Sequence, residues 1–385
     1  VSEQATKSQK TNLFGLDHEG LVAYFRAQGE TAFRAKQIMQ WMYRRGITDF
    51  AQMTDLSLKL REWLAEHAEI CPPEVIREQN AKDGTRKWLM RMGDRDDEDS
   101  NNNAIETVYI PESDRATLCI SSQIGCALDC SFCATGKQGL NRNLTTAEIV
   151  GQVWLAEHTL RAAGMVHGER AISNVVFMGM GEPLANYRNL IPAIRILLDD
   201  NGFGLSKRRV TVSTSGLVPF MDRLHQEVDV ALAVSLHAPM DALRDELVPI
   251  NRKYPLKELM AACDRYTSGK ERRAHVVYEY VLLDGVNDGK AHAEALAKLL
   301  GSRAAKLNII PFNPYPGALY KRPSATQVSR FQDWLHHCGI RTTVRRTRGD
   351  DIDAACGQLV GKVQDKQRRH FREIPIKSEN SGVSL

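Results

Sequence analysis

Gly125-Cys126-Ala127-Leu128-Asp129-Cys130-Ser131-Phe132-Cys133 places three cysteines in a C-x3-C-x2-C spacing, directly after a short apolar run over 118–122. That run reads as a β-strand, so the cysteines occupy the loop at its end. Outward from it the same arrangement repeats. Strand-like segments at 174–178, 209–214, 228–236, 276–283 and 307–311 alternate with helical segments at 145–158, 191–198, 256–266, 292–300 and 325–337. Strands this apolar, joined through helices, imply a parallel sheet. Six such units make an α/β fold, an open and partial (β/α)6 TIM-like barrel. A closed eight-unit barrel would need more chain than remains. Chemistry then belongs at the C-terminal strand ends, where the loops gather.

The unusual residues fall at those ends. The second strand runs into Met178-Gly179-Met180-Gly181-Glu182-Pro183, and the third into Ser213-Thr214-Ser215-Gly216. The fourth ends in Ser235-Leu236-His237-Ala238-Pro239 and the sixth in Pro311-Phe312-Asn313-Pro314. Such a coincidence is what a site at a barrel mouth predicts.

The flanks differ in character. Residues 1–73 read as a helical accessory module: Asp17 caps a helix through Leu21 and Phe25, Phe33, Gln37, Ile38, Trp41 and Met42 share a second apolar face, and a third helix runs from Asp55 to Ile70 before Pro72-Pro73. Residues 74–104 read as a β-hairpin with an Asp83-Gly84 turn and an acidic, Asn-rich mobile loop over 94–103. The barrel spans 105–340 and a basic segment 341–385. Between 341 and 372 nine Lys and Arg (Arg341, Arg345, Arg346, Arg348, Lys362, Lys366, Arg368, Arg369, Arg372) face four Asp, and Lys207-Arg208-Arg209 and 270–273 add smaller basic clusters. Such a surface suits phosphates, although solvated helix faces share its composition.

With 385 residues, 25% charged and 43% hydrophobic, the chain is neither disordered nor fibrous. No apolar stretch approaches the roughly 20 residues of a membrane helix, no signal pattern opens the sequence, and eight cysteines are too sparse for a disulfide scaffold. Cytoplasmic thiol chemistry is the expectation.

Three thiolates bind soft metals, zinc or iron–sulfur. Structural zinc wants four ligands, and only Cys130 and Cys133 form a C-x2-C pair. Three cysteines leave a four-iron cluster with one iron open to an outside ligand. Zinc and plain buried thiols stay as alternatives. On the residues alone Cys119 is a buried thiol on an apolar strand, Glu106 a solvated carboxylate, and His237 a packed histidine. Cys71, Cys263 and Cys338 lie on or beside helical apolar faces and read as structural. Cys356 stands out, because Ala354-Ala355-Cys356-Gly357 permits close approach.

With Phe132 just before its last cysteine, the triplet resembles the signature of radical S-adenosylmethionine (SAM) enzymes. Gly179-Met180-Gly181-Glu182-Pro183 is similar to the segment that holds the methionine amino group in that superfamily, and lacks the further glycine of a dinucleotide fingerprint. Residues 108–112 (Val-Tyr-Ile-Pro-Glu), 115–126 and 347–359 narrow the resemblance to the RNA adenine methyltransferases with two working cysteines, the RlmN/Cfr family, over about residues 106–359.

The resemblance implies a [4Fe–4S] cluster on Cys126, Cys130 and Cys133, and SAM contacts at Gly181, Glu182, Ser213, Ser235, Leu236, His237 and Asn313. Two SAM molecules would serve each turnover. Cys356 would take a methyl group from the first. The second, cleaved at the cluster, would give a 5′-deoxyadenosyl radical that draws hydrogen from that methyl, and the new carbon radical would add to adenine C2. Glu106 would accept the C2 proton, and Cys119 would free the product by forming a disulfide with Cys356. The implied partners are large-subunit (23S) ribosomal RNA, tRNA at the adenosine 3′ of the anticodon, and a low-potential electron donor such as a flavodoxin system, with no membrane. The related C8-methylating family, a non-catalytic iron–sulfur RNA-binding assembly factor and a zinc-stabilised barrel hydrolase are the rival readings.

Overall fold

The computed structural model describes residues 10–93, 103–166, 168, 170–269, 275–301 and 303–361. Most of the acidic Asn-rich stretch, the 270–273 cluster, and Lys362, Lys366, Arg368, Arg369 and Arg372 lie outside these.

The helical module comprises β1 (Thr11–Asn12), α1 (His18–Ala27), α2 (Phe33–Met39), α3 (Leu58–His67) and β2 (Ala68–Glu69), with β1 and β2 pairing in parallel. Asp17 caps α1 by accepting from Gly20 N at 2.9 Å, and Ser57 does the same for α3. The second apolar face differs from expectation at one position. Gln37, Ile38, Trp41 and Met42 are buried, but Phe33 at the start of α2 is 59% exposed. The module does not keep a core to itself: Phe14 packs on Trp154 (5.7 Å between centroids), Tyr43 on Phe203 (5.0 Å), and Trp154 Nε1 donates to Met42 O at 2.8 Å. One apolar cluster therefore runs from Leu13 through the barrel.

The hairpin forms as read, with β3 (Glu74–Asn80) and β4 (Arg86–Arg91), and β5 (Ala104–Pro111) pairs antiparallel to β4. The six expected parallel strands follow: β6 (Ala116–Cys119), then, after a ribbon of β7 (Gln123–Gly125) and β8 (Leu140–Asn143), β9 (Asn174–Phe177), β10 (Val210–Thr214), β11 (Ala231–Ser235), β12 (Val276–Leu282) and β13 (Ala305–Pro311). A short further strand, β14 (Thr342–Val344), pairs parallel to β13. All but the ribbon and the β1–β2 pair form one ten-stranded sheet, ordered β14-β13-β12-β11-β10-β9-β6-β5-β4-β3. The antiparallel hairpin is thus an extension of the barrel sheet.

Helices connect the parallel strands: α4 (Ala134–Lys137) and α5 (Thr146–Ala162), α6 (Tyr187–Leu198), α7 (Val218–Glu227), α8 (Asp241–Leu247), α9 (Leu256–Thr267), α10 (Lys290–Leu300) and α11 (Ala325–His337). A capping box between Thr145 and Glu148 opens α5, which is buried along most of its length between sheet and module. None of the described helices is long and apolar enough to cross a membrane.

Side-chain alternation along the strands decides what faces the barrel interior. On β12, Tyr278 and Tyr280 are buried in the apolar core, whereas Val277, Glu279 and Val281 line interior cavities. Opposite them stand small residues, Thr211 and Ser213 of β10 and Ala233 and Ser235 of β11. Small residues there leave the barrel hollow.

Candidate active site

The loop after β6 curls tightly enough to bring its cysteines together. Gly125 (φ 82°) and Asp129 (φ 52°) take left-handed conformations, and Cys126 N donates to Gly139 O at 2.7 Å. Cys133 N donates to Cys130 O at 3.1 Å, and a Cβ on Gly136 would lie 3.2 Å from Cys130 N, so a larger residue would crowd the curl. The β7–β8 ribbon brackets the loop. Cys126, Cys130 and Cys133 all line one cavity with about 1030 Å³ of open space.

The strand-end residues surround that cavity. Gly181, Glu182, Ser213, Ser235, His237 and Asn313 line it; Leu236 is fully buried behind it. The Glu182 carboxylate accepts from Leu184 N (3.1 Å) and Ser215 N (2.8 Å), and burial still pushes it up to about 7. His237 has φ 58°, and its Nδ1 accepts from Val281 N at 3.0 Å, which leaves the proton on Nε2. Burial, with Arg244 nearby, pushes this imidazole down to about 3, so it is neutral at pH 7. The ring meets Phe132 edge-on at 4.6 Å.

Cys356 lies on a segment pinned against the three-cysteine loop. Ala134 N donates to Gly357 O at 2.9 Å, Thr135 Oγ1 to Leu359 O at 2.8 Å, and Gln138 Nε2 to Gly361 O at 2.8 Å. From the other side Asn313 Nδ2 donates to Cys356 O at 3.3 Å, and Gln358 Nε2 to Pro314 O at 2.8 Å. Cys119, at the end of β6, is buried. Burial first, and then the facing Cys356, push its thiol up to about 12, against the pull of Arg345. Arg345 is itself held more firmly protonated by Cys356, with Glu279 and Cys119 adding to the effect. The two cysteines therefore share one guanidinium. No disulfide joins any of the eight cysteines, Cys119 and Cys356 included; Cys263 is buried, but Cys338, expected beside an apolar face, is exposed just after α11.

Glu106 is no solvated carboxylate. It is 3% exposed, its Oε1 meets Lys87 Nζ at 2.8 Å, and its Oε2 accepts from Val360 N at 2.8 Å. Burial raises its pKa despite Lys87. It sits behind the Cys356 segment and does not line the cavity.

The three thiols suit an iron–sulfur cluster better than a single ion. They face one another, since Cys133 and Cys126 both add to the burial that raises Cys130. Three thiols opening on one cavity are the donor set of a cluster that leaves one iron open to an outside ligand.

Comparison with known proteins agrees. Residues 11–70 match the model of the ribosomal RNA large subunit methyltransferase N-terminal domain, and residues 120–299 that of the radical SAM superfamily. A dual-specificity RNA methyltransferase RlmN from Marinobacter nauticus is 52% identical over 373 residues, 97% of this chain and 99% of its own. The chain belongs to the RlmN family. A crystal structure of a radical SAM methyltransferase from Sphaerobacter thermophilus superposes with a TM-score of 0.82 at 47% identity, covering 91% of this chain and 99% of that one. As an RlmN-family enzyme the protein is a radical SAM methyltransferase whose cofactors are a [4Fe–4S] cluster and SAM, two molecules per turnover.

Reading the sequence left out several residues that shape this RlmN-family site. Arg244 of α8 is fully buried and donates to Leu236 O (3.0 Å), Ser235 O (2.9 Å), Ser215 O (2.7 Å) and Asn251 Oδ1 (2.8 Å), tying two strand ends together. Gln123 Oε1 accepts from Glu182 N at 2.8 Å. Lys87 comes from the hairpin, far away in sequence. Arg244 and Lys87 stand in no motif, and Gln123 lies in the 115–126 stretch without a role assigned to it; each is recognisable only by its burial.

Proposed function

We propose that this enzyme methylates C2 of adenine in RNA, in large-subunit (23S) ribosomal RNA and in tRNA beside the anticodon, through a methyl group carried on Cys356. The observation that supports this best is the docking of the Cys356 segment on the three-cysteine loop, with Cys119 and Arg345 facing the same sulfur. Cys126, Cys130 and Cys133 would hold the cluster, which when bound supplies the electron that cleaves SAM.

The other roles belong to the chain. Glu182, held by Leu184 N and Ser215 N, presents a carboxylate to the amino end of SAM. Gly181, Ser213, Ser235 and the Leu236-His237 backbone shape the rest of that pocket, and Asn313 orients the Cys356 segment against it. Cys119 keeps its proton at pH 7, since its pKa is near 12, so it stays out of the methyl-accepting step and serves afterwards as the thiol that pairs with Cys356. Glu106 lies outside the cavity behind the Cys356 segment, and its role as proton acceptor rests on the family resemblance alone. RNA contact is assigned to the helical module of the first 73 residues and to the basic composition of the chain after residue 340. Reduction would come from a low-potential donor of the flavodoxin kind, and the enzyme would work in the cytoplasm.

The test is mass analysis of nuclease digests from RNA treated anaerobically with the reconstituted enzyme. The expected product is 2-methyladenosine, absent with Cys356→Ala. Cys119→Ala is expected to trap RNA on the protein as a shifted band in a denaturing gel. Finding 8-methyladenosine alone, or unimpaired methylation by Cys356→Ala, would overturn the reading.

A further inference from the structure

Glu279 is the strangest side chain in the barrel interior. It sits between Val277 and Val281 on the inward face of β12, on a strand otherwise apolar. It is 3% exposed, its Oε1 accepts from Asn308 Nδ2 at 3.1 Å, and its Oε2 has no hydrogen-bond partner among the described residues. A buried carboxylate oxygen without a partner is costly, so a group that supplies a donor is what such a site lacks. Burial raises the carboxyl, and the cation that most opposes this is Arg345.

The location narrows the donor. Glu279, Arg345 and Cys356 line both the SAM cavity and a second, larger and more polar one that continues through the barrel past Thr211, Ala233 and Lys306. Where the two join, the Glu279 carboxylate, the Arg345 guanidinium and the Cys356 side chain line the same space, and Arg345 feels both of the others. A planar ring brought beside that sulfur thus meets an acceptor and a donor. Adenine carries the matching pair on one edge, N6–H as donor and N1 as acceptor, with C2 next to N1. Guanine reverses both, presenting O6 to the carboxylate and N1–H to the guanidinium.

We infer that Glu279 and Arg345 read the Watson–Crick edge of the target adenine, Glu279 Oε2 accepting from N6–H and Arg345 donating to N1. The inference rests on the adenine-methylating reading above and makes Glu279 its specificity-determining residue. An extruded base read this way needs no neighbouring sequence for its identity.

The experiment uses the reconstituted enzyme and RNA hairpins with either adenosine or purine riboside, which lacks the amino group, at the target position. The wild-type enzyme should prefer adenosine by about 10- to 100-fold in kcat/KM, as expected for one hydrogen bond to a charged acceptor. Glu279→Gln should lose at least about 10-fold on adenosine and little on purine riboside, collapsing the preference to within about threefold, while its SAM affinity in equilibrium dialysis stays unchanged. An equal preference in both enzymes would overturn the inference. So would a preserved preference with weakened SAM binding, which would assign the carboxylate to the SAM ribose. Where Glu279→Gln does not fold, the wild-type ratio alone decides, since a ratio near one refutes the contact. Failure of the wild-type enzyme to methylate C2 on the adenosine hairpin would instead refute the proposed function.

Discussion

Replacing Arg244 by Met removes four hydrogen bonds from the rim of the proposed SAM pocket while keeping most of the apolar stem. Burial pushes its pKa down to about 10, against the pull of Cys130 and Asp241. Each hydrogen bond from a charged donor is worth about 1.5–3 kcal/mol, which is what holds the buried guanidinium in place. Its loss also takes the guanidinium from the carbonyls of Ser215 and Ser235, while Leu236 O keeps Ala238 N at 2.8 Å. Arg244→Met should therefore lower the unfolding free energy of the cluster-free protein by about 3–5 kcal/mol, read from urea midpoints at unchanged m-value. SAM should bind more weakly as the Ser215 and Ser235 loops slacken. Arg244→Lys keeps the charge but has fewer donors in a less fitting shape, and should recover about half of the loss. A midpoint for Arg244→Met within about 1 kcal/mol of the parent, with SAM affinity intact, would show that water replaces the guanidinium and that the clamp is dispensable.

Lys87 and Glu106 form an ion pair with both side chains 5% exposed. Lys87→Met should cost about 3–5 kcal/mol in urea unfolding, and the double variant with Glu106→Gln should recover most of it; additive losses would mean that the pair is not coupled. His158 stacks on Trp154 and its Nε2 meets Gly46 O at 3.0 Å, where the module joins α5. Burial lowers its pKa, against the Gly46 hydrogen bond and Glu157. The neutral ring thus contributes stability above the ordinary histidine pKa that is lost as pH falls through the lower, folded-state value. Urea midpoints should fall less between pH 7.5 and 5.5 for His158→Gln than for the parent, and parallel curves would contradict this. Gly46→Ala should destabilise by about 1–2 kcal/mol in the same measurement. Gly46 has φ +67°, and a Cβ there would lie 1.7 Å from the His158 ring. Unchanged midpoints would show that the ring swings away at no cost.

The barrel was legible because its strands are apolar runs bounded by glycine, serine and proline, and period alone separates them from the helices. The cysteine loop and the strand-end motifs were legible for the same local reason. What stayed hidden depends on contacts distant in sequence. Arg244 stands in Asp241-Ala242-Leu243-Arg244-Asp245, which reads as a solvated helix face until α8 folds over two strand ends. Glu279 vanishes within Val277-Tyr278-Glu279-Tyr280-Val281, because a strand covered on both sides need not alternate. Arg345 counted as one more charge in a basic run, yet it turns inward beside β14, a strand too short and polar to be recognised. Glu106 resembled any exposed carboxylate until Lys87 and Val360 closed around it. The division of the chain was harder still. Helical periodicity marked a separate module, but Phe14, Tyr43 and Trp154 fuse its interior with that of the barrel.

The stapling of Gly357, Leu359 and Gly361 to Ala134, Thr135 and Gln138 has a consequence for how the enzyme is put together. On the proposed roles, methyl carrier and metal housing share a single mechanical joint, so an ill-formed housing would let the carrier drift from the barrel mouth. That joint then works as an interlock: before the housing is complete, the sulfur proposed to receive the methyl group has no fixed address.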